Sequence, residues 1–168
     1  MEKISKIVIK LMLIFPIIGI IISCSGEPDC SIVSRATLFG GFYGENADGR
    51  VVKTTRPLLS IMAIRAGEDS TLLNRKENAE SFDLPLQYTA DTTAIIFYYG
   101  DFVLSDTITF WHTNTPYFVS LECGFDMKQV VTKMDYTKHS IDSIKLTNNN
   151  TNKDGKENLQ IFYTDIAE

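Results

Sequence analysis

Between Arg35 and Tyr163 the chain is a succession of short runs in which apolar, aromatic or β-branched residues fall at every second position. Most of these runs are closed by Gly, Asn or Asp. Period two puts alternate side chains on one face of an extended strand, and turn-formers at roughly 8–12-residue spacing leave no stretch for a long helix. Nine segments read this way: 35–43, 58–67, 82–88, 93–99, 106–112, 116–124, 128–136, 142–147 and 158–163. The segment 93–99, "TAIIFYY", is apolar on both faces and belongs in the middle of a sheet. The segment 82–88 carries Pro85, which cannot donate to a ladder and suits an edge. In 106–112, Ile108 and Phe110 point to one side while Thr107, Thr109 and Trp111 point to the other. Val130, Thr132, Met134 and Tyr136 run in phase, as do Leu159, Ile161 and Tyr163. Residues 68–81 are ambiguous, with a short helix near 72–79 as one option. The expectation is all-β: an antiparallel β-sandwich of eight or nine strands, with an immunoglobulin-like arrangement as one form of it. No internal repeat or second domain is visible.

The N-terminus obeys a different grammar. Lys3, Lys6 and Lys10 precede the apolar run Leu11–Ile22, as in a secretory signal. That run is shorter than the roughly 20 residues needed to span a bilayer. Ile21-Ile22-Ser23-Cys24 resembles the lipobox of bacterial lipoproteins, in which a small residue precedes the cut and the following thiol takes a diacylglyceryl group. An uncleaved signal anchor is the alternative. The expected plan is a cleaved signal peptide 1–23, a short linker 24–29 and one domain 30–168, held to the membrane by lipid on Cys24. One acyl chain binds a bilayer marginally, and two or three hold nearly permanently.

Removing Lys3, Lys6, Lys10 and Glu2 from 16 basic and 21 acidic residues leaves 13 and 20, a net of −7. A domain this acidic, without a basic run, repels a phosphate backbone, so nucleic acid is not an expected partner. With Cys24 lipidated, Cys30 and Cys123 are the remaining thiols. Outside the cytoplasm such a pair is normally a disulfide, although two buried free thiols stay open as the alternative. Tyr117, Val119, Leu121 and Cys123 alternate, which points Cys123 into a core. A bridge closing a loop of more than 90 residues stabilises by about 4–5 kcal/mol at most in the chain-entropy model. It also leaves six residues between the domain and its lipid, a reach of about 20 Å.

Several motifs carry a resemblance. Cys24 followed by Cys30, Leu84-Pro85-Leu86, Asp91-Thr92-Thr93, Asp106-Thr107-Ile108-Thr109-Phe110 and Cys123-Gly124-Phe125 stand in the order seen in a family of small Bacteroidota lipoproteins, domain of unknown function 6452. The chain resembles that family over most of 58–163 and in both later thiols. The resemblance implies an outer-membrane lipoprotein with a Cys30–Cys123 pair, and no catalytic residues.

Candidate chemistry is sparse. Asn150, Asn152, Asp154 and Gly155 fit the first positions of a calcium loop, but Ile161 stands where a bidentate Glu is needed, so a turn is the reading. No metal site and no cofactor are expected. Four Asp-Ser/Thr triplets match the acceptor pattern of Bacteroidota O-glycosylation, at Ser70, Thr92, Thr107 and Ser143. His112 and His139 are the only histidines, and His112 reads as a rim residue rather than a base. Trp111 and Tyr117 form a possible ligand platform. The expected role is a binding or structural accessory module of the outer membrane, with a β-barrel-type outer-membrane protein as partner. Its side of that membrane is open, since Ser25 is not the Asp that retains lipoproteins at the inner membrane, while Glu27 and Asp29 only partly match surface-export signals. Glycan binding through exposed aromatics is one alternative, and a hydrolase using scattered carboxylates is another.

Overall fold

A computed structural model describes residues 35–65, 67–102 and 104–163. The expected signal segment, Cys24, the linker and Cys30 lie outside the described residues. Ten strands form: β1 Leu38–Glu45, β2 Val51–Lys53, β3 Leu59–Ile64, β4 Ser70–Lys76, β5 Ser81–Leu84, β6 Thr92–Tyr99, β7 Leu104–Ser120, β8 Gly124–Tyr136, β9 Ile141–Leu146 and β10 Glu157–Tyr163. No helix occurs among the described residues. One sheet runs β2-β1-β10-β9, with β5 also paired to β1, and the other runs β4-β3-β6-β7-β8. The sheets pack face to face as a β-sandwich, antiparallel except where β1 lies parallel to β10.

The alternation delivers the core. Leu38, Phe42, Phe82, Leu84, Leu159, Ile161 and Tyr163 of one sheet meet Leu59, Ile61, Ile95, Phe97, Ile108, Phe110 and Val131 of the other. Ring contacts cross between the sheets, Phe82 on Phe97 at 5.2 Å and Tyr99 on Tyr163 at 5.8 Å, both edge-to-face. β6 is central as expected, and β5 ends at Leu84, just before the proline.

Three expectations are corrected. Residues 70–76 are strand β4, not helix: Leu73 and Thr71 pair with Ile61 and Met62, and the ladder offered by β3 outweighs the good helix propensity of Leu, Arg and Lys. Among the described residues ten strands replace eight or nine, because β2 is only three exposed residues long and β4 carries its two leucines side by side, so neither shows an apolar alternation. In β8 the register jumps, with Lys133 opposite Trp111 but Val131 opposite His112, so Thr132 is an extra residue. Gln129 and Val131 are therefore buried together with Met134 packed on the core, while Thr132 is exposed.

One carboxylate ties the sheets. Asp106, in β7, is fully buried and accepts from the Thr137 hydroxyl at 2.7 Å and from the backbone N–H groups of His139, Ser140 and Ile141 at 2.7, 2.8 and 3.1 Å. These residues carry the chain from β8 in one sheet to β9 in the other. Burial pushes the Asp106 carboxyl up, but the donors from His139, Thr137, Ser140 and Ile141 outweigh it and hold it below the ordinary 3.8.

Gly40 answers Phe82 across β1 and β5, and a Cβ there would fall on the Phe82 ring. Gly40→Ala should cost about 1–3 kcal/mol in urea unfolding through overpacking. Asp106→Asn should cost about 2–4 kcal/mol at neutral pH, since an amide cannot accept from all four donors. With a depressed folded value, the contribution of Asp106 is complete above 3.8 and is lost as pH falls through the lower folded value. The stability gap between parent and Asp106→Asn should therefore close on acidification below that point, read by urea titrations at stepped pH.

Candidate functional site

Two polar clusters and one exposed arm stand out. The first cluster is sealed. Thr93, His112 and Gln129 are buried, with Asn114 beside them. The Asn114 amide donates to the carbonyls of Tyr88 and Ala90 at 3.3 and 2.6 Å, which makes its Oδ1 the acceptor. That oxygen receives Gln129 Nε2 at 2.7 Å and His112 Nδ1 at 3.2 Å. His112 therefore carries its proton on Nδ1, and Nε2 accepts from the Thr93 hydroxyl at 2.8 Å. Thr93 Oγ1 in turn accepts the Gln87 N–H at 2.8 Å. A hydroxyl, an imidazole and an orienting amide in line have the form of a nucleophile relay. Both Thr93 and His112 are closed to solvent, so the relay serves as a clamp that binds segment 87–90 to β6, β7 and β8. His112 is thus a core residue and not the rim residue the sequence implied. Its place on a polar-looking strand end concealed the Thr and Asn partners that make burial tolerable.

The second cluster surrounds Asp126. Its carboxylate accepts from Tyr88 and Tyr117 hydroxyls at 3.1 and 3.0 Å, from the Met127 N–H at 2.7 Å and from Lys153 at 2.6 Å. Burial opposes ionisation, but Lys153, Met127, Tyr117 and Tyr88 together hold the carboxyl down at about 2. This knot braces the root of the β7–β8 hairpin. Beside it opens a groove of about 420 Å³ lined by Ala36, Thr115, Tyr117, Met127 and Thr151 among others. Among the described residues no three His, Cys, Asp or Glu side chains gather as a metal-ligand set.

Past the knot the hairpin continues as an arm. Strands β7 and β8 stay paired from Thr115–Lys128 out to Ser120–Gly124, and Leu121, Glu122 and Cys123 form the turn. Cys123 is thus a half-buried residue of an otherwise exposed turn and does not sit in the sandwich core as its alternation implied. It is not a free thiol. On the arm's strands Phe125 and Phe118 are 71% and 55% exposed, and Leu121 of the turn is 90% exposed.

The remaining candidates are dispersed. Trp111 and Tyr117 lie six positions apart on β7, about 20 Å along a strand. The Lys133 ammonium stands 4.5 Å from the Trp111 ring centroid, and Thr92 and Lys133 are its cross-strand neighbours, so the two aromatics are not brought together as one platform. Ser70 and Thr92 open β4 and β6, whereas Thr107 and Ser143 sit inside β7 and β9; all four are half-buried. Asn150 and Asn152 are engaged in the turn before β10. Buried Asn158 fastens it, donating to the carbonyls of Asn148 and Asn150 and accepting from Phe39 N–H and Asn152. Asn158 carries no signal in the sequence beyond one Asn at a strand start.

The model of a family described as a family of unknown function (DUF6452) matches residues 58–163. No curated protein and no solved structure matches the chain.

Burial lowers the basicity of His112 below the ordinary 6.5, with the Asn114 hydrogen bond opposing it only in part. The stabilising contribution of the neutral ring is complete above 6.5 and is lost as pH falls through the window beneath, where only the unfolded chain is protonated. NMR titration should find the His112 ring still neutral at pH values below 6.5. Thr93→Val should cost about 1–3 kcal/mol, because it strands the Gln87 N–H and His112 Nε2 in the interior.

Proposed function

This chain belongs to the DUF6452 family, and on that footing we propose that it is a lipid-anchored interaction module of the bacterial outer membrane. Lipid on Cys24 holds it, a Cys30–Cys123 disulfide ties the anchor to the hairpin arm, and the arm is the working surface. The observation that carries the reading is the arm itself: Tyr117, Phe118, Val119 and Phe125 are exposed apolar side chains at the end of its paired strands. Large apolar surface gathered in one place marks an interaction site more often than scattered residues do. The Asp126 knot supports it by holding the arm's root rigid, which lowers the entropy lost on docking.

The pairing is supported by elimination. Cys123 is not a free thiol, and the chain has only two other cysteines. Lipid on Cys24 leaves Cys30. A partner embedded in the same membrane, of the β-barrel type, suits a domain held this close to the bilayer. This reading is preferred to glycan binding, because Trp111 already carries Lys133 on its ring. It is preferred to a hydrolase using scattered carboxylates, because Asp106 is buried and Asp106 and Asp126 each already accept from four donors of the fold.

Crosslinking in cells with mass spectrometry tests it. The mature chain should begin at an acylated Cys24, residues 30 and 123 should alkylate only after reduction, and crosslinks from Lys128 should converge on one envelope protein. An unacylated residue 24, or crosslinks spread evenly over unrelated proteins, would overturn the reading.

A further inference from the structure

The tip of the β7–β8 arm has a chemistry of its own. Five of the ten large apolar side chains exposed among the described residues fall within 117–125: Tyr117, Phe118, Val119, Leu121 and Phe125. From Pro116 to Phe125 the only charged residue is Glu122. Phe118 and Phe125 face each other across the strands, edge to face at 5.6 Å, so the patch is ordered before any partner arrives. Tyr117 behind them keeps its hydroxyl on Asp126, and exposed Lys128 follows three positions after Phe125. An apolar end, then an amphipathic aromatic, then a cation is the order of side chains met on leaving a bilayer through its interface.

We infer that this tip is a membrane wedge, with Phe118, Val119, Leu121 and Phe125 seated in the interfacial layer of the bilayer that bears the anchor. The inference rests on the lipid-anchor reading above. The length of chain preceding the described residues selects the occupant. Cys24 stands eleven residues before Arg35, a reach of at most about 40 Å, and six before Cys30, about 20 Å. A disulfide from Cys30 to the arm's own turn confines the tip within that shorter radius of the lipid. The apolar phase always in reach is therefore the bilayer. The backbone tolerates entry, since the strands remain paired to Phe118–Phe125 and Ser120–Gly124 and few polar groups at the end await partners. Seating to a depth of about 5–10 Å matches what interfacial apolar faces achieve. The net negative charge makes zwitterionic lipid the favourable surface. Wedge and lipid then act as two attachment points and set the orientation of the sandwich, with β7 and β8 standing on the membrane.

The test uses the full chain matured in its own host, carrying Trp111→Phe and Phe125→Trp, reconstituted into phosphatidylcholine vesicles with plain or brominated acyl chains. The new indole should emit to the blue of its position in water and be quenched severalfold by brominated lipid. The parent protein, reporting through Trp111, should be quenched little. Val119→Trp in the same background is a second reporter and should behave like Phe125→Trp. Equal emission in plain and brominated vesicles from both reporters overturns the wedge. So does a blue shift that depends on protein concentration and not on lipid, which assigns the tip to a second copy of the chain. Intact mass on the same preparation separates the two readings. An acylated Cys24 with unquenched reporters sinks the wedge alone, while quenched reporters on an unacylated chain uphold the wedge and sink the anchor.

Discussion

The sandwich depends on a single buried carboxylate at the place where the chain changes sheets. Between Tyr136 and Ile141 the backbone leaves β8 and enters β9, and the N–H groups of His139, Ser140 and Ile141 turn to a side chain instead of a neighbouring strand. Asp106 reaches them from β7 and accepts from three backbone donors and the Thr137 hydroxyl. The ionised side chain is affordable in the interior only because every lone-pair direction is used. The apolar faces of two sheets attract each other without choosing how they connect. Asp106 supplies that choice, and with it the position of β9 against β10.

A second junction works by amides. The Asn-rich segment between β9 and β10 crosses to the other sheet, where Val131 N–H bonds the Asn149 carbonyl and Thr151 N–H bonds the Gln129 carbonyl. Asn158 fastens the same segment to β1 through Phe39. The residues whose spacing imitates a calcium loop thus spend their side chains within the turn: Asn150 donates to the side-chain oxygens of Asn148 and Asn149, Asn152 donates to the Lys156 carbonyl and to Asn158, and Asp154 pairs with Lys156. Close by, the Thr132 bulge turns Gln129 inward to Asn114 and onto the His112 clamp. The bulge, the clamp and the Asn turn form one continuous polar seam, and the arm grows from it. This gives the arm a physical explanation: its root is held by hydrogen bonds on several sides while its end is free to be apolar.

Function, in this reading, is placed outside the packed core. The sandwich acts as a rigid mount, and the side chains that meet the surroundings are those that no core position claims. Phe118, Leu121 and Phe125 resemble core residues in composition and are exposed only because their strands overrun the neighbouring ones. From the pattern alone Phe118 is indistinguishable from Ile108 and Phe110 on the same strand.

By itself the amino-acid order determined the strand class, the central place of β6, the inward faces of β7 and β10, the edge position before Pro85 and the distinct character of the first 23 residues. These follow from local rules of alternation, proline chemistry and charge next to an apolar run. The tertiary structure alone decided the β4 strand, the parallel β1–β10 pair, the Thr132 register jump, the burial of His112 and the place of Cys123 on a turn. The physical reason is common to all five. A period of two survives a one-residue slip with its faces exchanged, and the partners that settle the matter, such as Thr93 for His112 or Asn158 for Phe39, are brought near only by the fold.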